Sequence, residues 1–176
     1  MPREHVEVRG AGGDPNVKAL GEIGVLGVGA TLGLKKGGFE VEVRGAGQAT
    51  RQVTNFMTPE GFEGADKLIC CEVLTPDGNW SSYPPHKHDT HREDASGKVL
   101  EADLEEIYFY KLNPPQGFAL QRIYSSGADR TYLAQHNDTV LIHEGYHPTT
   151  SAPGYTTYLL NFLAGSAQSL ANSEDP

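Results

Sequence analysis

From Phe39 onward the chain alternates between short apolar runs and clusters of turn residues. FEVEV, KLICCEVL, EEIYFYKL, GFALQRIY, TVLIH and YTTYLLNFL are rich in Val, Ile, Leu, Tyr and Phe, and PDGN, NPPQG, SSGAD, QHND and SAPG lie between them. Most of these runs are too short for helices, and several alternate with a period of two. The pattern predicts six strands without an internal helix, and so an all-β sandwich or barrel of the jelly-roll kind. The hydrophilic segment 89-DTHREDASGK-98 is expected to be a mobile surface loop, and the tail after Gly165, SAQSLANSEDP, to be frayed or weakly helical.

Residues 1–38 break the pattern. They are rich in Gly and Ala (GEIGVLGVGATLGLKKGG), lack a clear period, and do not place G-x-G-x-x-G after a strand, so they give only weak grounds for a dinucleotide site. The heptapeptide VEVRGAG occurs at 6–12 and again at 41–47, and two copies are too few for a solenoid. The second copy is taken as the start of the ordered domain. The expected organisation is a Gly-rich leader over 1–38, one domain over 39–165 and a polar tail over 166–176.

Composition narrows the function classes. A chain of 176 residues suits a single core, and its 21 Gly and 11 Pro are spread between apolar runs, as in a loop-rich β protein. A net charge of −9 opposes nucleic acid and anionic membranes, and an anionic small substrate would need a local cation. Cys70 and Cys71 are adjacent, so strand alternation sends them to opposite faces as buried thiols, in keeping with a reducing cytoplasm. The apolar stretch after Ala19 is too short and Gly-rich to span a bilayer, and it lacks the layout of a signal peptide.

The chemistry concentrates in 79-NWSSYPPHKHD-89. On an extended strand His86 and His88 point the same way and Lys87 the other, which is what two ligands of one metal require. A carboxylate can come from Glu105 or Glu106 in LEEIYFYKL; alternation puts Glu106, Tyr108 and Tyr110 on one face and Glu105, Ile107 and Phe109 on the other, without saying which face holds the metal. A later imidazole is available from His147 in HEGYHP, with His143 just before it. Two imidazoles, one carboxylate and a returning imidazole make a mixed nitrogen and oxygen site for Zn, Mn, Fe, Co or Ni, with positions left for water or substrate.

This arrangement resembles the cupin pattern of His-x-His and Glu in one motif and a last His in a second. It departs from that pattern in the long gap between His88 and Glu106 and in the short second motif, HEGYH. The runs VEVRGAGQATRQV, EVLTPDGNWSSYPPHKHD, LEEIYFYKLNPPQGFALQRIY, EGYHP and APGYTTYLLNFLAG are more specifically similar to the C-terminal half of the 5-deoxy-glucuronate isomerase family of inositol catabolism. That family is related to the 4-deoxy-L-threo-5-hexosulose-uronate ketol-isomerases. The resemblance implies a cupin-type double-stranded β-helix, with His86, His88, Glu106 and His147 as metal ligands. It also implies bicupin relatives, which makes the leader the remnant of a missing N-terminal lobe.

The implied activity is a metal-dependent aldose-ketose isomerisation of 5-deoxy-D-glucuronate to 5-dehydro-2-deoxy-D-gluconate, with a divalent ion as Lewis acid and no organic cofactor. Tyr108, Tyr146 and His143 are the side-chain candidates for proton transfer. Arg122 is the candidate cation for the uronate carboxylate, with Gln121 on the opposite face of the same strand, so at most one of the two enters the barrel. His91 and His136 are expected outside the site. The alternatives are an Fe(II) cupin dioxygenase and a sugar-acid-binding module without catalysis. The expected partner is a small uronate-type molecule rather than nucleic acid or membrane, and a homo-oligomer in which the barrel borrows a strand is left open.

Overall fold

The computed structural model describes residues 40–59, 62 and 64–176; the leader over 1–38 and the first VEVRGAG copy lie outside the described residues. The second copy forms β1 (Glu40–Arg44) and turns at Gly45 into β2 (Arg51–Met57) through a 3-10 turn over Gly47–Ala49. Gly45 has φ +78°, and a Cβ there would meet the Ala49 carbonyl oxygen at 2.1 Å, so the tight return requires glycine.

The remaining strands are β3 (Leu68–Thr75), β4 (Trp80–Ser81), β5 (His86–Lys87), β6 (Asp89–Glu93), β7 (Val99–Asn113), β8 (Phe118–Tyr124), β9 (Asp129–Gln135), β10 (Thr139–Ile142), β11 (Thr149–Ser151), β12 (Thr156–Gly165) and β13 (Ser173–Glu174). One sheet runs β1-β2-β3-β12-β7-β10 with β6 also on β7, and a second runs β4-β11-β8-β9. The small pair β13-β5 completes the set, and the pairings are antiparallel. This is the all-β jelly roll that the strand pattern predicts, and no helix among the described residues is long and apolar enough to cross a membrane.

The core forms where the alternating strands turn one face inward. Leu104, Glu106, Tyr108, Tyr110 and Leu112 of β7 are buried, as are Leu159, Asn161 and Leu163 of β12. Ala119 and Ala134 of the second sheet share one apolar cluster with Tyr108, Tyr110, Leu112 and Leu159, while Leu104 and Leu163 belong to a second cluster with Ile69 and Ala102. A fully buried leucine such as Leu159 contributes roughly 1.5–3 kcal/mol relative to an exposed one. Polar residues such as Glu106 and Asn161 sit at the same inward positions and line a cavity beside the apolar layer. Cys70 and Cys71 are free and buried, and burial pushes the Cys71 thiol up to about 12, as expected of inert structural thiols.

Two segments differ from the sequence-based expectation. Residues 89–98 are an ordered hairpin in which β6 pairs with β7, rather than a mobile loop. Its turn is closed by the Asp94 carboxylate, which accepts from the Ser96 and Lys98 backbone N–H groups, and by Gly97 at φ +80°. The tail after Gly165 is neither frayed nor helical: β13 pairs with β5, and Ala102 N–H donates to Ala171 O. Backbone pairing satisfies these polar segments without an apolar face, and periodicity is blind to that.

Candidate metal centre

β5 begins at His86, directly after Pro84 and Pro85, and the returning tail pins it through Ser173 opposite Lys87 and Glu174 opposite His86. His88 follows, and its carbonyl accepts from Leu104 N–H on β7 at 2.9 Å. The sandwich therefore holds His88 one turn of the pleat from Glu106. His147 lies between the Tyr124–Tyr146 backbone bridge and β11.

Each of the three imidazoles is oriented in the same way. His86 Nδ1 lies 3.1 Å from Pro84 O, His88 Nδ1 3.2 Å from Leu104 O, and His147 Nδ1 2.9 Å from Gly145 O. A carbonyl oxygen only accepts, so each Nδ1 carries the hydrogen and each Nε2 presents its lone pair. Backbone carbonyls that fix ring tautomer and orientation are the usual support behind metal-binding histidines. The three rings converge, with centroids 4.9 Å apart for His86–His147 and for His88–His147 and 6.2 Å for His86–His88.

Glu106 completes the cluster. Its Oε2 lies 2.8 Å from His88 Nε2 and 3.1 Å from His147 Nε2, and the residue is 2 % exposed. A carboxylate facing imidazole lone pairs needs a cation between them, either a proton or a metal ion. Burial alone would raise the Glu106 carboxyl, but His147 and His88 hold it well below the usual carboxylate range. Burial would lower the His88 pKa, but its hydrogen bond and charge interaction with Glu106 raise it overall. Burial and the neighbouring His147 bring His86 down to about 4, so it is neutral at pH 7. His147 Nε2 is buried and, among the described residues, makes no hydrogen bond of acceptable geometry, despite its proximity to Glu106. His86, His88 and His147 form a group that can hold a metal ion, and the donor set fits a divalent transition metal.

The other sequence-based candidates separate. Tyr108 reaches the cavity: its ring lies 6.1 Å from that of His147, and its hydroxyl is 2.6 Å from Ser82 Oγ. Ser82 takes φ 51°, uncommon for a residue with a side chain, beneath that bond. Gln121 is fully buried; it accepts from Tyr110 O–H at 2.6 Å and donates to His147 O at 2.7 Å, so it anchors the backbone of His147 and does not line the cavity. Arg122 points outward, paired with Asp129 at 2.8 and 2.9 Å and lying over the Tyr124 ring, and so is not placed to bind a carboxylate in the barrel. Its charge is matched across the β8–β9 hairpin, which an isolated strand sequence does not disclose. His143 is also turned away, exposed and paired with Glu105. Tyr146 stacks on Tyr124 with centroids 5.3 Å apart, away from the cavity lining. His91 is exposed, bonded to Ser166 and Glu93, and His136 hydrogen-bonds the Leu112 backbone.

A cavity of about 190 Å³ opens beside the histidines. Its walls include residues that the sequence reading did not single out: Arg51 and Asn55 of β2, Asn161 of β12, and Asn172 and Glu174 of the tail. The available signal was the alternation of RQVTNFM, which sets Arg51, Val53 and Asn55 on one face.

Comparison with known proteins follows the same lines. The chain is 44 % identical over 138 residues to 5-deoxy-glucuronate isomerase of Geobacillus thermodenitrificans, covering 77 % of this chain and 48 % of that protein. The chain thus spans about half the length of the curated relatives it matches. An IolB-like protein of Salmonella typhimurium LT2 superimposes with a TM-score of 0.72 at 38 % identity, over 78 % of this chain and 50 % of that one. Oxalate oxidase superimposes with a TM-score of 0.52 at 16 % identity, over 74 % of this chain and 59 % of that one, and supports the cupin-type fold alone. The model of the KduI/IolB family matches residues 29–176, which agrees with the strand order, the convergent histidines and the relatives above: the chain belongs to the KduI/IolB family.

Proposed function

We propose that this chain is the metal-binding cupin unit of a 5-deoxy-glucuronate isomerase, with His86, His88, Glu106 and His147 as ligands of one divalent ion. The observation that carries this reading is the common orientation of the three imidazoles, each with Nδ1–H given to a backbone carbonyl, their ligand atoms gathered into one group, and Nε2 of His88 and His147 beside Glu106. When bound, a divalent ion of the Zn, Mn, Fe, Co or Ni type supplies Lewis-acid polarisation of the substrate carbonyl and adjacent hydroxyl.

Aldose-ketose isomerisation moves a proton from C2 to C1 and needs no organic cofactor. Tyr108 sits beside the ligands, and burial followed by the Glu106 charge pushes its phenol well above the ordinary tyrosine value. It therefore keeps its proton at neutral pH and serves as a hydrogen-bond donor to a developing enediol oxygen rather than as the base. Leu159 and Leu163 line the cavity beside the polar groups and exclude water from part of its wall. The free, buried Cys70 and Cys71 support a cytoplasmic setting.

The test is metal analysis of the purified chain, followed by NMR of 5-deoxy-glucuronate incubated with the metal-loaded protein in deuterated buffer. Ketose formation with one metal per chain is expected. A metal-loaded protein without turnover would contradict the isomerase reading and leave a sugar-acid-binding module.

A further inference from the structure

The cavity wall on β2 and β12 carries polar groups that the metal centre does not use. Asn55 and Asn161 are 4 % and 8 % exposed, line the cavity, and each has a side-chain oxygen with no hydrogen-bond partner among the described residues. An unpaired buried amide oxygen costs about 1–3 kcal/mol, so two on one wall are expensive unless a ligand completes them. Acceptors in this position suit the hydroxyl hydrogens of a polyol.

Arg51 stands on the same wall. It is half-buried and lies directly across the β1–β2 pair from Arg44, an unfavourable placement of like charges. Arg44 has Glu42 as its ion-pair partner, whereas among the described residues no carboxylate pairs with Arg51. Arg51 donates Nη1–H to Ala49 O at 3.0 Å, which leaves most of the guanidinium fork for another acceptor. Burial and the Arg44 charge lower the Arg51 pKa, while Tyr108 and Glu42 act on it in the opposite sense, so it lies in the electrostatic reach of the residue beside the ligands.

We propose that Arg51 binds the carboxylate of an acyclic sugar acid while Asn55 and Asn161 accept hydrogen bonds from its hydroxyls, leaving the carbonyl end for the metal centre. This subsite rests on the isomerase reading for the identity of its substrate and gives the function first expected of Arg122 to a different residue. Guanidinium and carboxylate form paired, charge-assisted hydrogen bonds, which a neutral polyol cannot match.

The experiment is calorimetric titration of the metal-loaded full chain with D-gluconate and with D-glucitol, which differ in the terminal carboxylate. Wild type is expected to prefer gluconate by about tenfold or more, as for a charge-assisted bond. Arg51→Gln should lose that preference, and Arg51→Lys should keep part of it. Asn161→Ala should weaken both ligands alike, with circular dichroism confirming the fold of each variant. An Arg51→Gln protein that folds and still prefers gluconate, or a wild type indifferent to the carboxylate, would overturn the subsite. Carboxylate preference without turnover of 5-deoxy-glucuronate would support the subsite while removing the isomerase reading, so the two fail separately.

Discussion

The two walls of the cavity are built on opposite terms. On the histidine side, each ring spends its Nδ1 hydrogen on a backbone carbonyl, Gln121 ties down the His147 carbonyl, and the Gly145 N–H donates to Asp89 at 2.8 Å. On the β2 and β12 side, Asn55 and Asn161 keep oxygens unpaired among the described residues, none of which offers Arg51 a carboxylate. The first wall is set up for a group that stays in place, with little freedom left to lose when it binds. The second is finished only by something that arrives and departs, as substrate does.

The largest effect should come from His147→Ala. Loss of one ligand from the supported cluster should reduce metal affinity beyond the roughly 10- to 100-fold seen when only a supporting group is removed, and abolish any turnover; metal content and the NMR assay read both. Gly145→Ala breaks the same wall from behind. Gly145 has φ +88°, and a Cβ would meet Tyr124 O at 2.6 Å, so a loss of about 1–3 kcal/mol in thermal unfolding is expected. Metal affinity should fall with it, because the displaced carbonyl is the one holding His147 Nδ1.

Glu101→Gln tests the strap that carries β13 over the site. The buried Glu101 carboxylate takes hydrogen bonds from Lys87, Arg92 and Ser173, and losing them should cost about 1–3 kcal/mol. Burial opposes the charge on Glu101, but Ser173, Arg92 and Lys87 outweigh it and lower the pKa. A lowered folded pKa stabilises above the unfolded carboxylate value and loses that contribution as pH falls through the folded value. The wild type should therefore lose more stability than Glu101→Gln on acidification below about pH 4.5, the region of an ordinary glutamate, as unfolding curves at several pH values would show. The smallest effect is expected from Arg122→Ala. Its partner Asp129 is exposed, and solvent screening leaves such pairs little effect on stability; unchanged thermal unfolding and unchanged gluconate affinity would sharpen the contrast with Arg51.

What the sequence disclosed follows from how local each signal is. The strand pattern gave the jelly roll because alternation is a property of neighbouring residues, and His86 and His88 do converge, although β5 itself covers only His86–Lys87. Glu106 over Glu105 was undecidable from alternation, because the outcome depends on which face the second sheet covers; Glu106 is buried beside His88, and Glu105 is turned to solvent beside His143. Arg122 was misplaced for a related reason. Its match, Asp129, sits diagonally across the β8–β9 hairpin, where Tyr124 is opposite Asp129 and Arg122 opposite Thr131. The tail and the 89–98 hairpin look solvent-bound by composition, yet they are held by backbone bonds and by Glu101, which become visible only when residues distant in sequence meet.

The central claim is that three Nε2 atoms and one Glu106 oxygen share a metal. X-ray absorption spectroscopy of the zinc-loaded chain tests it most directly. The account predicts a first shell with three imidazole nitrogens at about 2.0–2.1 Å and a carboxylate oxygen at about 2.0–2.2 Å, with one imidazole lost in His147→Ala. A shell without imidazole, or a spectrum unchanged by that substitution, would contradict it.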